Sequence, residues 1–109
     1  MPTKSYDATT GRYRVEFSLP PEAAVQQAWL AGEFNDWSTT VCPLARNGDG
    51  GLAVTIQLEP GRSYRFRYFL GNGEWENDWA ADAYVDNAHG GADSVVHVPH
   101  PPGAGEGPR

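Results

Sequence analysis

The sequence predicts an all-β chain folded as an antiparallel β-sandwich. Apolar and polar residues alternate with a period of two in separate segments, the mark of strands with one buried face. Those segments are short, regularly spaced and joined by Gly, Pro and Asn turns, as in sandwiches. The size agrees: 109 residues make one domain, and 39% hydrophobic residues suffice for its core.

Tyr13, Val15, Phe17 and Leu19 alternate with Arg14, Glu16 and Ser18, and Pro20-Pro21 stops that strand. Ala24 to Ala31 follows. Glu22 to Ala28 contains good helix formers, but the segment is short and lies between Pro-Pro and Gly32, so a strand is expected. Asn47-Gly48-Asp49-Gly50-Gly51 is hairpin chemistry. It leads into Leu52, Val54, Ile56 and Leu58, alternating with Ala53, Thr55 and Gln57. Glu59-Pro60-Gly61 is a tight turn, with Pro pre-set for the corner and Gly free to take positive φ. Tyr64, Phe66 and Tyr68 then alternate with Arg65 and Arg67, and Gly71-Asn72-Gly73 turns the chain into Glu74-Trp75-Glu76. A looser stretch from Asn77 to Asp93 has turn residues at Asp86-Asn87 and Gly90-Gly91. The last strand is Ser94 to Val98. Residues 1–10 are expected to be a flexible N-terminus, 11–98 the sandwich, and 99–109 a disordered Pro/Gly tail.

Charge narrows the partners. Net charge is -6 and the basic residues are seven Arg and one Lys. That balance argues against nucleic acid, whose phosphates need clustered Lys and Arg, and against an anionic membrane surface. No apolar run reaches the ~18 residues of a membrane helix, and the first residues lack the apolar stretch of a leader. A cytoplasmic protein is expected. The single cysteine, Cys42, precludes an internal disulfide and a Cys-based zinc site.

Enzymatic signatures are weak. Glycoside hydrolysis needs two carboxylates ~5 to ~9 Å apart in a cleft. Glu74, Glu76, Asp78 and Asp82 crowd one loop, but such a run reads as a solvated face, and a small sandwich offers little room for a deep cleft. No Ser/His/Asp or Cys/His signature and no phosphate loop is present. His97 and His100 have no third ligand close in sequence. The expectation is a non-catalytic protein without metal or cofactor.

The aromatic residues are more informative. Four Trp is a high count for this length. Trp37 follows the polar turn Gly32-Glu33-Phe34-Asn35-Asp36, and Trp75 and Trp79 sit among Glu74, Glu76, Asn77 and Asp78. A Trp in such a setting either caps the core edge or forms an exposed platform. Flat indole faces suit sugars, because a pyranose presents an apolar face of C–H bonds and keeps its hydroxyls at the rim. Hiding ~100 Å² of apolar surface per ring corresponds to about 2.5 kcal/mol per platform before ordering costs.

Ala28-Trp29-Leu30-Ala31-Gly32-Glu33-Phe34-Asn35-Asp36-Trp37 resembles the V-x-L-A-G-x-F-N-x-W segment of carbohydrate-binding module family 48. That family includes the glycogen-binding domain of the AMP-activated protein kinase beta subunit. It also includes the N-terminal early-set domains of isoamylases and branching enzymes. Pro43-Leu44 with Gly50-Gly51-Leu52, Leu58-Glu59-Pro60-Gly61, and Tyr64 to Tyr68 followed by Gly73-Glu74-Trp75-Glu76-Asn77-Asp78 resemble further family segments. Ser94 to Val98 resembles its closing strand. The resemblance spans about residues 12–98.

The resemblance implies an immunoglobulin-like (early-set) sandwich that binds an α-1,4-glucan such as glycogen, starch or a maltooligosaccharide. By position, Trp37 and Trp75 become the stacking platforms and Arg67 the basic residue that holds hydroxyls, with Arg65 as the alternative. Asn35 belongs to the same element. Asp93 stands where the family has Asn, keeping acceptors but lacking NH₂ donors. Trp79 replaces a family Pro and is either a further platform or packed on the sandwich. The alternative reading is an early-set scaffold that binds a glycogen-metabolising enzyme or another protein, without sugar binding of its own.

Overall fold

The computed structural model describes residues 2–102. The chain is all-β, and its strand pairings are antiparallel. β1 (Thr3–Asp7), β2 (Arg12–Leu19), β5 (Leu52–Leu58) and β4 (Ala45–Arg46) form one sheet in that order. β3 (Ala28–Gly32), β6 (Arg62–Leu70), β9 (Ala92–Val98) and β8 (Ala83–Asp86) form the second, in which the short β7 (Trp75–Glu76) also pairs with β6.

The alternation read from the sequence separates core from surface. Val15, Phe17 and Leu19 of β2 and Leu52 and Leu58 of β5 point inward from the first sheet. Leu30 of β3, Tyr64, Phe66, Tyr68 and Leu70 of β6, and Val96 and Val98 of β9 meet them from the second. Phe17 and Phe66 join the two layers edge to face, ring centroids 4.9 Å apart.

Three expectations change. The first concerns the loose N-terminus, which carries β1, paired with β2 from Thr3–Glu16 to Asp7–Arg12. Tyr6 packs on Tyr13 at 5.2 Å, and Lys4 bonds Asp82, which immediately precedes β8 of the other sheet, so aromatic contact and charge compensate for the segment's polarity. The second is the strand expected over Ala24 to Ala31. Its first part is a 3₁₀ turn, Pro21–Ala23, ending at Ala24 in the left-handed conformation, and the strand begins only at Ala28. The third is the stretch from Asn77 to Asp93, which contains β8, paired to β9 from Ala83–Val95 to Asp86–Ala92.

Of the expected tail, residues 103–109 lie outside the described residues. Pro99–Pro102 are described, and there the Tyr13 hydroxyl donates to the His100 carbonyl at 3.0 Å. Among the described residues no helix is long and apolar enough to cross a membrane.

Candidate functional site

The outer face of the second sheet holds an open depression of about 530 Å³, within the size range of small-ligand sites. Trp37 and Trp75 line it, with Arg65, Arg67 and Asp93 between them. Glu33 and the turn residues Asn87, Ala88 and His89 complete its wall. Each of the two indoles is delivered by a turn.

Trp37 comes from the turn after β3. The Asn35 side chain closes that turn: its Oδ1 accepts from Gly32 N–H at 3.0 Å and its Nδ2 donates to the Leu30 carbonyl at 2.9 Å. Gly32 is required by close approach, since a Cβ there would lie 2.6 Å from the Arg65 carbonyl oxygen. The chain then takes left-handed φ at Asp36 (55°) and at Trp37 (59°). Such a conformation disfavours a bulky residue, so the backbone is strained where the indole projects. Trp37 N–H donates to the Gly32 carbonyl at 2.9 Å and fixes the reversal.

Trp75 comes from the β6–β7 hairpin. Gly73 takes φ 86° in its turn, and Leu70 N–H donates to Glu74 O at 2.8 Å. Trp75 lies opposite Phe69 and packs on it with centroids 5.0 Å apart. The Arg67 guanidinium sits 5.6 Å from the Trp75 ring, a cation–π contact. Arg67 Nε is buried with no hydrogen-bond partner among the described residues. A donor left so is costly unless something accepts from it.

The wall is held by a second set of bonds. Arg65 Nη1 lies 3.8 Å from Asp93 Oδ2, while Glu33 Oε1 accepts from the Arg65 backbone N–H at 2.8 Å. Asn87 Nδ2 donates to Asp93 Oδ1 at 3.2 Å, and Asn87 Oδ1 accepts from the N–H groups of His89 and Gly91. Asp93 therefore has one oxygen bonded to Asn87 and the other paired with Arg65.

Just after Trp75 the chain is anchored by half-buried and buried polar groups. Asn77 Oδ1 accepts from Ser94 N–H and Oγ–H, and its Nδ2 donates to the Ala92 carbonyl. Asp78, only 2% exposed, accepts from the Tyr68 hydroxyl at 2.6 Å and from Ala80 N–H at 2.8 Å. Burial, then the Asp78 charge and hydrogen bond, hold the Tyr68 hydroxyl well above its ordinary pKa.

Five of the candidate residues thus meet: Trp37, Trp75, Arg65, Arg67 and Asp93. Two do not. Asn35 spends its amide on the turn and positions Trp37. Trp79, 53% exposed, lies outside the depression and donates from Nε1 to Glu76 at 2.8 Å. The acidic run also differs from a uniformly solvated face, because Asp78 is buried within it. Asn87, Ala88 and His89 read in the sequence only as a turn, and their one signal is their nearness to Asp93. Among the described residues no group of three His, Cys, Asp or Glu side chains could hold a metal ion. No protein-family model matches the chain, and no curated protein does.

Proposed function

We propose that this chain is a non-catalytic α-glucan-binding module with an immunoglobulin-like early-set sandwich, related to carbohydrate-binding module family 48. One observation carries the reading. Trp37 and Trp75, far apart in sequence, line one open depression together with two arginines and two carboxylates. Indole faces cover the apolar C–H faces of glucose rings, while Arg67 donates to hydroxyls and Asp93 accepts from them.

Chain binding suits an open site, because a polymer lies across it and both ends leave freely. With two platforms at about 2.5 kcal/mol each before ordering costs, affinity falls in a roughly micromolar-to-millimolar range. Such a module works by holding an attached or associated glycogen-metabolising enzyme near its polymer.

The test is an intrinsic Trp fluorescence titration with maltoheptaose, using cellohexaose as control. A saturable change with the α-glucan alone supports the reading. No change with either sugar refutes it and favours the protein-interaction alternative. That alternative draws on Trp79 and Tyr84, which are 53% and 49% exposed near the edge strand β8.

A further inference from the structure

We infer that the glucan site continues beyond Trp75 along a row of three aromatic rings, Trp75–Phe69–Trp29, and that this row takes additional glucose units of a curved chain. The inference rests on the glucan reading of the depression and extends it.

The row is a consequence of strand register. Phe69 of β6 lies opposite Trp75 of β7 on one side and opposite Trp29 of β3 on the other. Neighbouring positions Tyr68 and Leu30 are buried in the core. Alternation therefore turns all three rings to the outer face. Centroids are 5.0 Å apart from Trp75 to Phe69 and 6.3 Å from Phe69 to Trp29. Trp75 belongs both to this row and to the wall of the depression, so the two surfaces are continuous.

Chemistry distinguishes the row from its surroundings. The depression is lined by arginines and carboxylates, whereas the row itself is made of aromatic side chains. It ends where the chain closes on β3: Trp29 bridges to Pro43, and Leu30 N–H donates to the Cys42 carbonyl at 2.9 Å. The surface is thus finite, a few rings wide.

Ring tilt points to the chain shape. Trp75 and Phe69 are inclined by 62°, and Phe69 and Trp29 by 48°. A β-1,4-glucan is a flat ribbon and needs coplanar platforms. An α-1,4-glucan turns at each linkage, so successive rings present their faces at changing angles. Tilted platforms can follow the second chain and not the first.

The experiment is calorimetric titration of the full chain with maltotriose, maltoheptaose and cellohexaose. Wild type should bind maltoheptaose on the order of tenfold more tightly than maltotriose, as expected for ~50 Å² of further apolar contact. Trp29→Leu and Phe69→Leu should each bring that ratio toward about twofold. An unchanged ratio in both variants would overturn the extension. So would equal wild-type affinity for the two maltooligosaccharides, a measurement that needs no variant to fold. Cellohexaose binding as tightly as maltoheptaose would overturn the argument from curvature. Failure of the wild type to bind either maltooligosaccharide would remove the glucan reading itself, a result distinct from binding without length dependence.

Discussion

Both sheets turn alternate residues outward, yet the two outer faces differ. The first sheet presents Arg14, Glu16, Thr55 and Gln57, which are exposed and charged or polar, with Arg14 and Gln57 both reaching Asp7. The second presents the row Trp29, Phe69 and Trp75, whose rings contact one another, and beside it Arg65 and Arg67, which with Trp75 line a depression. Period-two patterning decides which residues are buried and leaves the outward set free. The first face is what a strand needs to stay soluble. The second keeps apolar rings in water and a donor without an acceptor, features that stability alone would remove. It also rests on a polar network in which half-buried Asn77 bonds buried Ser94 and Ser94 bonds buried Asp78.

The largest effect expected is on that support. Asp78→Ala leaves the buried Tyr68 hydroxyl with only its longer 3.4 Å bond to the Ser18 carbonyl, and the Ala80 N–H without its side-chain acceptor. Stability should fall by about 3 kcal/mol, read by urea denaturation. Glu16→Ala on the opposite face should stay within about 0.5 kcal/mol. Equal losses would erase the distinction between a supported face and a self-sufficient one.

Next is Trp37→Gly. Removing a platform should weaken maltoheptaose binding on the order of fiftyfold, from about 2.5 kcal/mol of lost apolar contact. Glycine adopts the 59° φ of this position without penalty. The thermal midpoint should therefore hold or rise while binding is lost, an opposition expected where function carries strain. A midpoint lowered by many degrees would mean that Trp37 plugs the core edge. Thr55→Ala should change neither quantity.

Much of this contrast is legible in the sequence. Alternation in Tyr13–Leu19, Leu52–Leu58 and Tyr64–Tyr68 marks the inward set correctly, because side-chain period and burial are linked directly. The resemblance picks out Trp37, Trp75, Arg65, Arg67 and Asp93, all of which line the depression. It does not separate Asn35, since a polar residue of the motif can serve a turn as readily as a ligand, and only the bonds to Gly32 and Leu30 decide. The Asn87 to His89 wall depends on how β8 and β9 pair, a non-local fact. β1 is missed because Thr3–Asp7 is polar: its place is set by a hairpin with the adjacent β2, by the Tyr6–Tyr13 contact and by Asp82, of which only Asp82 is distant in sequence. Asp78 reads as one acid in a solvated run until Tyr68 closes over it.

Arg67→Ala sharpens the comparison at a smaller scale. Loss of a charged donor and of its contact with Trp75 should weaken glucan binding by about 1 to 2 kcal/mol. Wild-type binding should change little between low and high salt, because the ligand is neutral. No loss in Arg67→Ala, with a loss in Arg65→Ala, would move the donor role to Arg65. A steep salt dependence would point instead to a charged ligand held by both arginines.

The smallest effect concerns how the polar face is tied to the other sheet. Lys4 Nζ of β1 lies 2.6 Å from Asp82 Oδ2, and the His97 N–H donates to the same oxygen at 2.8 Å. Burial pushes the Asp82 carboxyl up, but these bonds, with the charges of Lys4 and His97, outweigh it and leave its pKa below 3.8. A carboxyl depressed on folding stabilises the native state at pH above its ordinary value. That contribution fades as pH falls below 3.8 through the lower folded value. Lys4→Met should flatten the acid limb of stability against pH, with a loss below about 1 kcal/mol at neutral pH. The Arg12–Glu59 pair, with side chains 52% and 57% exposed, should contribute still less when Arg12 is replaced. An acid limb unchanged in Lys4→Met would mean that β1 is held by its pairing with β2 alone, and that no charge contact ties the polar face to the aromatic one.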